Sequence, residues 1–403
     1  VDEDGGDALA PVGAVDGLGG ADRRQIAVPL IVQHYGLRAG PLQSGSHRGT
    51  ASVGRFGEVY VYVVVGEDRT AAGSNADGLL LDAHLFDYFG HQAVDDGVAA
   101  SGAMVEGLSL AAMTETPIVI ALAQRPGPAT GLPTRTEQGD LLFALHAGHG
   151  EFPRIILAPG DIEEMYKLTA EAFDFADIYQ TPVIVLSDKH LSESIWSTPK
   201  MVLKLFARIY EPRRGKAVRN AEGQYLRYKI SEDGISPILQ PGKDGHFYQI
   251  NSYEHLEDGH TTEDHQQRVA QVDKRNRKEK TYLMSHFKKP QLYGVENADI
   301  VLVAWGSLKG TLLDCLSVLK EKGINAGLMH FTHIFPLDES VGEMFADNKR
   351  YILVENNSYG QFGRILKEQV GVEIRGKFLK YDGRQIFAEE VADFVEHIVK
   401  RSE

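Results

Sequence analysis

This chain is short of cysteine, slow to use lysine and without a long apolar run, and each shortage closes off a class of function. Cys315 is the only cysteine in 403 residues. A disulfide framework, a thiolate zinc site and an iron–sulfur cluster held by this chain alone are therefore excluded. No apolar stretch approaches the ~18 residues that a bilayer span needs. The opening residues Val1-Asp2-Glu3-Asp4 lack a basic n-region, from which we expect no signal peptide and a cytoplasmic protein. Bases are outnumbered 42 to 56, a net charge of −14, so neither nucleic acid nor an anionic membrane is expected as a partner. The first lysine is Lys167, and fifteen of the 42 glycines fall in the first 80 residues.

What is present is ordinary globular material. Hydrophobic residues make up 43% of the chain, and at ~150 residues per domain the length suggests two or three domains. Before Gln25 there are few helix or strand signals. Glu58 to Val65 reads as a strand, β-branched and aromatic and closed by Gly66. From about Asp77 to His190 helix and strand alternate. Val105 to Thr114 reads as a helix, Pro117 to Leu122 and Arg154 to Ala158 as buried strands, Asp161 to Tyr179 as a helix with acids in its first turn, and Pro182 to Leu186 as a strand. Residues 200–290 are polar and irregular, like a connecting arm. Alternation then resumes with strand Ile300–Trp305, helix Thr311–Lys322 closed by Gly323, strand Ala326–His330, a helix around Asp338–Phe345, strand Tyr351–Glu355 and a helix from Gly360. The pattern predicts an α/β fold with parallel sheets.

The densest chemical signal directly follows the strand ending at Leu122. It runs Gln124-Arg125-Pro126-Gly127-Pro128-Ala129-Thr130-Gly131-Leu132-Pro133-Thr134-Arg135-Thr136-Glu137-Gln138-Gly139-Asp140. Prolines and glycines fix a loop there, and ligands in open α/β sheets sit beyond the carboxyl ends of strands. Arg125 on such a loop suits a carboxylate or phosphate; alternatively it pairs with a local acid such as Glu115. A second loop, His146 to Arg154, offers His146 and His149 as acid or base, or as histidines satisfied by backbone. The run Glu254 to His265 holds three histidines among five acids, but its spacing matches no closed ligand pattern, so we expect a solvated turn. Glu355-Asn356-Asn357-Ser358 precedes a helix, which Asn357 or Ser358 is expected to cap. Cys315, between leucines, reads as a buried small hydrophobe.

These residues resemble a family. The stretch Leu110–Pro117, the Arg125 loop through Asp140, Gly148-His149-Gly150-Glu151-Phe152-Pro153-Arg154, Tyr179 to Asp188, Tyr228 to Pro237, the His255–Asp264 loop, Trp305-Gly306-Ser307 and Glu355-Asn356-Asn357 are together similar to the α subunits of 2-oxoacid:ferredoxin oxidoreductases, especially the 2-oxoglutarate type. The resemblance covers about residues 105 to 403. It implies a thiamine-diphosphate enzyme whose α chain joins a pyrimidine-binding-type domain with a parallel sheet to a transketolase-C-terminal-like α/β domain. It implies a separate β subunit that holds the diphosphate with Mg²⁺ and carries an iron–sulfur cluster, with coenzyme A as co-substrate, ferredoxin as electron acceptor and an α₂β₂ assembly. The lone Cys315 agrees, because the cluster must then reside on the partner.

Carried over residue by residue, Arg125 and Thr130 would hold the 2-oxoacid carboxylate and Asp233 would lie near the site. Asp95 or Asp96, in Gln92-Ala93-Val94-Asp95-Asp96, stands where the family has a glutamate that activates the cofactor. A second carboxylate on the substrate needs a second cation, for which Arg135, Arg154 and His149 are all open. The domain reading is 1–75 as a glycine-rich remnant of a fused γ-type domain, 76–200 as the pyrimidine-binding-type domain, 201–290 as the arm and 291–403 as the C-terminal domain. A clear glycine-rich N-terminal loop and a Tyr-Pro-Ile-Thr-Pro-like motif are both missing. Two rival readings follow: another thiamine enzyme, such as a transketolase-like or 2-oxoacid dehydrogenase component, or a scaffolding subunit without catalysis.

Overall fold

The computed structural model describes residues 52–56, 59–63, 99–195, 205, 206, 208–218, 223–239 and 248–401. In chain order the elements are β1 (Ser52–Phe56), β2 (Val59–Val63), α1 (Ala99–Met113), β3 (Ile118–Gln124), α2 (Leu141–His146), β4 (Ile155–Leu157), α3 (Ile162–Tyr179), β5 (Pro182–Asp188), α4 (Lys189–Glu193), β6 (Ala217–Val218) and β7 (Ile238–Leu239). There follow α5 (His265–Ser285), β8 (Gln291–Tyr293), β9 (Ile300–Trp305), α6 (Leu308–Glu321), β10 (Ala326–Phe331), β11 (His333–Phe335), β12 (Arg350–Glu355), α7 (Gln361–Val370), β13 (Gly376–Leu379) and α8 (Ala388–Lys400).

Two sheets carry the architecture. The first runs β11-β4-β5-β3 and the second β13-β12-β9-β10-β8. Every residue of β5 and of β9 is buried, as continuous apolar strands must be when both faces of a parallel sheet are covered. β3 lies parallel to β5 in a register from Ile118↔Pro182 to Gln124↔Asp188, so both carboxyl ends reach the same edge. β11 comes from the C-terminal half of the chain yet pairs antiparallel with β4. Between the sheets one apolar core is shared, with Leu122, Ile156 and Ile184 packed among Val303, Trp305, Phe331 and Phe362. At roughly 1.5–3 kcal/mol for each such side chain buried, this shared core outweighs any polar contact in joining the halves.

Local chemistry sets the helix ends. Asp161 accepts the Glu164 amide at 2.8 Å and the Glu164 carboxylate accepts the Gly160 amide at 2.8 Å, a reciprocal cap at the start of α3. Asp264 accepts the amides of Gln266 and Gln267 at the start of α5.

The α/β class and its parallel strands hold. Two features depart from the sequence reading. The arm contains α5, a 21-residue helix; its inward residues are Gln271, Lys274, Arg275, Lys278 and Tyr282, helically spaced but polar, so apolar periodicity is silent. The helix expected at Asp338–Phe345 is a 3₁₀ segment, Glu339–Met344. The strand Glu58–Val65 is found as β2, paired antiparallel with β1. The glycine-rich opening of the chain lies outside the described residues.

Candidate carboxylate site at the edge of the first sheet

At the carboxyl edge of β3 the chain turns back on itself. Gln124 is buried and ties both limbs of the loop: its Nε2 donates to Ser187 O at 3.1 Å and its Oε1 accepts the Asp140 amide at 2.9 Å. Leu132 N donates to Pro126 O at 3.1 Å, closing residues 126–132 into a compact turn. Gly131 is required there. Its φ is +51°, and a Cβ would stand 1.9 Å from Pro126 O. Arg125 is half-buried beside this turn and Thr130 is exposed on it.

Asp140 is the acid that feels Arg125. Burial raises the Asp140 carboxyl and the guanidinium opposes that rise. The alternative partner, Glu115, stands before the amino end of β3. Its carboxylate is engaged by Lys274 at 2.5 Å and Lys278 at 2.7 Å. A seven-residue strand lies between it and Arg125, about 20 Å at 3.3 Å per residue. The Glu115 pairing is thereby ruled out.

The return limb is pinned to both sheets. Thr136 Oγ1 donates to Asp188 Oδ1 at 3.4 Å. Asp188, at the end of β5, also accepts from Ser307 and from the Leu191 amide at 3.0 Å. Burial nonetheless raises its carboxyl above the ordinary range. Gln138 spans the two modules, donating through Nε2 to Trp305 O at 3.0 Å and accepting the Asn356 amide through Oε1 at 3.1 Å. Glu355 is wholly buried and accepts the Phe362 amide at 3.0 Å, the Gly363 amide at 3.2 Å and Asn357 Nδ2 at 2.6 Å. Asn357 Oδ1 in turn accepts the Gly360 amide at 2.8 Å. Capping by Asn357 is therefore as the sequence suggests; Ser358 is not used, and the Glu355 carboxylate adds a second cap.

Other candidates fall elsewhere. His149 and Arg154 precede β4, which runs parallel to β5, so they belong to the amino edge of the sheet. Arg154 is buried, donates to Ala144 O and Ala147 O and lies over Phe152. His149 is exposed beside Glu106. Asp233 pairs with Lys216 and accepts the Ile235 amide at 3.1 Å. Its turn rests on α5, where a Cβ on Gly234 would meet Lys274 O at 2.4 Å. This is the Glu115 end of the sheet, so within this chain Asp233 and Arg125 are not brought together. Asp95 and Asp96 lie outside the described residues.

The histidine run is only partly a solvated turn. His260 is exposed beside Asp258, whereas His255 is buried with its ring 3.8 Å from that of Tyr228, and His265 opens α5. Cys315 is buried, and burial pushes its thiol up to about 12.

Sequence reasoning missed the buried group of Glu115, Lys274 and Lys278 and the span by Gln138. A signal for the first did exist, in two lysines four residues apart within an otherwise helix-compatible run. Gln138 carried none, since its partners are 167 and 218 residues away.

Chemically, this edge offers an arginine and a hydroxyl on a stiff loop, which fits a substrate carboxylate. Glu355 is filled by four donors of the chain itself, the Phe362 and Gly363 amides, Asn357 Nδ2 and Trp305 Nε1, while Asp188 accepts from three, Thr136, Ser307 and the Leu191 amide. Of the described residues at this edge, Glu137 on the return limb is half-buried, its carboxyl raised by burial and by Asp140. Among them no helix is long and apolar enough to cross a membrane.

Residues 99–274 match the family described as pyruvate flavodoxin/ferredoxin oxidoreductase, thiamine diphosphate-binding. The chain is 36% identical over 355 residues to a 2-oxoacid:ferredoxin oxidoreductase subunit alpha of Saccharolobus solfataricus, covering 85% of this chain and 53% of that protein. It is 28% identical over 298 residues to a 2-oxoglutarate synthase subunit KorA of Archaeoglobus fulgidus, covering 73% of this chain and 75% of that one. The solved 2-oxoglutarate:ferredoxin oxidoreductase of Magnetococcus marinus, with 2-oxoglutarate, coenzyme A and succinyl-CoA bound, is similar with a TM-score of 0.67 and 29% identity, over 74% of this chain and 51% of that one. The chain spans about half the length of the curated relatives matched first.

Proposed function

This chain belongs to the same family as the α subunits of 2-oxoacid:ferredoxin oxidoreductases, and from that kinship we propose that it serves as such a subunit. The reaction is oxidative decarboxylation of a 2-oxoacid, 2-oxoglutarate first among them, to an acyl-coenzyme A and CO₂, with two electrons passed to ferredoxin. In this reading residues 76–200 and 291–403 are the pyrimidine-binding-type and transketolase-C-terminal-like domains. A β partner holds the diphosphate with Mg²⁺ and carries the iron–sulfur cluster, in an α₂β₂ complex. Thiamine diphosphate, when bound, supplies the electron sink for loss of CO₂.

The observation that supports the reading is the Arg125 loop, closed by Gly131 and pinned through Gln124 and Thr136 to the carboxyl edge of β3 and β5. This chain's part is positioning. Arg125 forms a charge-assisted bidentate pair with the carboxylate next to the 2-oxo group, and the Thr130 hydroxyl donates a further hydrogen bond. The nearby Asp140 charge attracts the guanidinium before substrate arrives. Little loop entropy is then lost on binding.

The test is reconstitution with the β chain and measurement of 2-oxoacid- and coenzyme A-dependent ferredoxin reduction. Arg125→Met should lower kcat/KM roughly 30- to 1000-fold while melting temperature and subunit association stay unchanged. Arg125→Lys should recover part of this, since it keeps the charge and loses the planar fork. Near-normal kinetics in a well-folded Arg125→Met complex would remove the loop from the site.

A further inference from the structure

We propose that Arg135 selects a dicarboxylic 2-oxoacid by pairing with the carboxylate remote from the 2-oxo group, while Arg125 holds the one beside it. The inference rests on the functional reading above and names the residue that would set its substrate class.

The geometry separates the three cations that the sequence leaves open. Parallel α/β sheets take ligands at the carboxyl edge, and His149 and Arg154 precede β4 at the amino edge. Arg154 is moreover consumed, its guanidinium buried and spent on Ala144 O and Ala147 O. Arg135 stands at the correct edge. Gln124 and Asp188 face each other in the last rung of β3 and β5. Arg125 is the next residue after Gln124, and Arg135 is the residue before Thr136, whose hydroxyl sits on Asp188. Arg125 therefore stands one residue from this rung and Arg135 one residue from a side chain hydrogen-bonded to it, on the two limbs of one loop.

Arg135 is also available. It is exposed, and its guanidinium makes no ion pair or hydrogen bond with any described residue. Its backbone is held by Arg135 N to Leu132 O at 3.0 Å and by Thr136 N to Gly383 O at 3.1 Å. Gly383 makes room for its stem, since a Cβ there would lie 3.1 Å from Arg135 Cβ. Neighbouring cations of this edge and its rim already have acids. Lys189 pairs with Glu193, Lys380 with Glu390 and Arg384 with Asp382, and the charge of His190 bears on Asp188. A held backbone with an uncommitted guanidinium is what recognition of a second carboxylate requires.

The experiment uses the reconstituted αβ complex with 2-oxoglutarate and with two monocarboxylates, pyruvate and 2-oxobutyrate. Arg135→Gln should lower kcat/KM for 2-oxoglutarate roughly 30- to 100-fold, carried mostly by KM, and leave both monocarboxylates within about twofold. Arg135→Lys should restore part of the loss. The thermal stabilisation of the complex by 2-oxoglutarate should shrink in parallel, with the unliganded melting temperature unmoved. Equal losses on all three substrates, or none on 2-oxoglutarate, overturn the proposal. A wild-type complex that turns over monocarboxylates alone overturns it while sparing the parent reading, and a complex inert to every 2-oxoacid removes both.

Discussion

Glu115→Gln should be strongly destabilising. The carboxylate is buried between Lys274 Nζ at 2.5 Å and Lys278 Nζ at 2.7 Å, all three side chains at most 2% exposed. Arg227 adds a third cation, donating to Glu115 O at 2.8 Å and to Gln180 Oε1 at 2.9 Å. Burial pushes the Glu115 carboxyl up, but Lys278, Lys274 and Arg227 more than reverse this and hold it well below the ordinary range. A neutral amide would leave two ammonium groups face to face without an anion. Breaking a buried pair in this way costs about 3–5 kcal/mol. At about 2–4 °C per kcal/mol for a domain of this size, the melting temperature should fall by roughly 6–20 °C. Replacing Glu115, Lys274 and Lys278 together by methionine should be close to neutral, since the charges then leave as a set. The pH dependence has a definite sign. Burial lowers Lys274 to about 7, whereas an unfolded lysine titrates near ~10.4. Between those values the unfolded chain binds more protons, so stability rises with pH across that window, and Lys274→Met should flatten the rise. Glu115 acts in the same direction at lower pH: its contribution is complete above the ordinary carboxylate range and is lost as the pH falls through its lowered value. Thermal melts of the three variants from pH 6 to pH 10 supply the measurement. A Glu115→Gln protein melting within ~2 °C of the parent would refute the assignment of this cluster as a buried clasp.

Other outcomes follow from the same contacts. Gly131→Ala forces a Cβ to 1.9 Å from Pro126 O, so the loop must open; 2-oxoacid affinity should fall by more than tenfold while the melting temperature drops only a few degrees, read by kinetics and melting together. Gln138→Ala leaves Trp305 O and the Asn356 amide unpaired between the two sheets, a cost of about 2–3 kcal/mol that denaturant titration should show. Cys315 is buried with its thiol raised to about 12, so a thiol reagent at pH 8 should label it only after unfolding.

The alternation of apolar strands with capped helices was enough to establish the α/β class, because burial on both faces leaves no choice of residue in strands such as Pro182–Asp188. The loop after β3 was legible for a similar local reason: prolines and glycines around Arg125 forbid helix and strand alike, and a chain leaving a buried strand must emerge at its end. Helix α5 was not legible, since its inward face is built of Gln271, Lys274 and Lys278, which become core only because Glu115, 159 residues before Lys274, neutralises them. Nor could the sequence choose among Arg135, Arg154 and His149. Each is a cation beside a glycine- or proline-rich turn, and only the parallel pairing of β4 with β5 puts two of them at the amino edge. Local pattern decides which segments become strands and helices; long-range pairing decides which ends meet, and that is where charge acquires a partner or is left for a ligand.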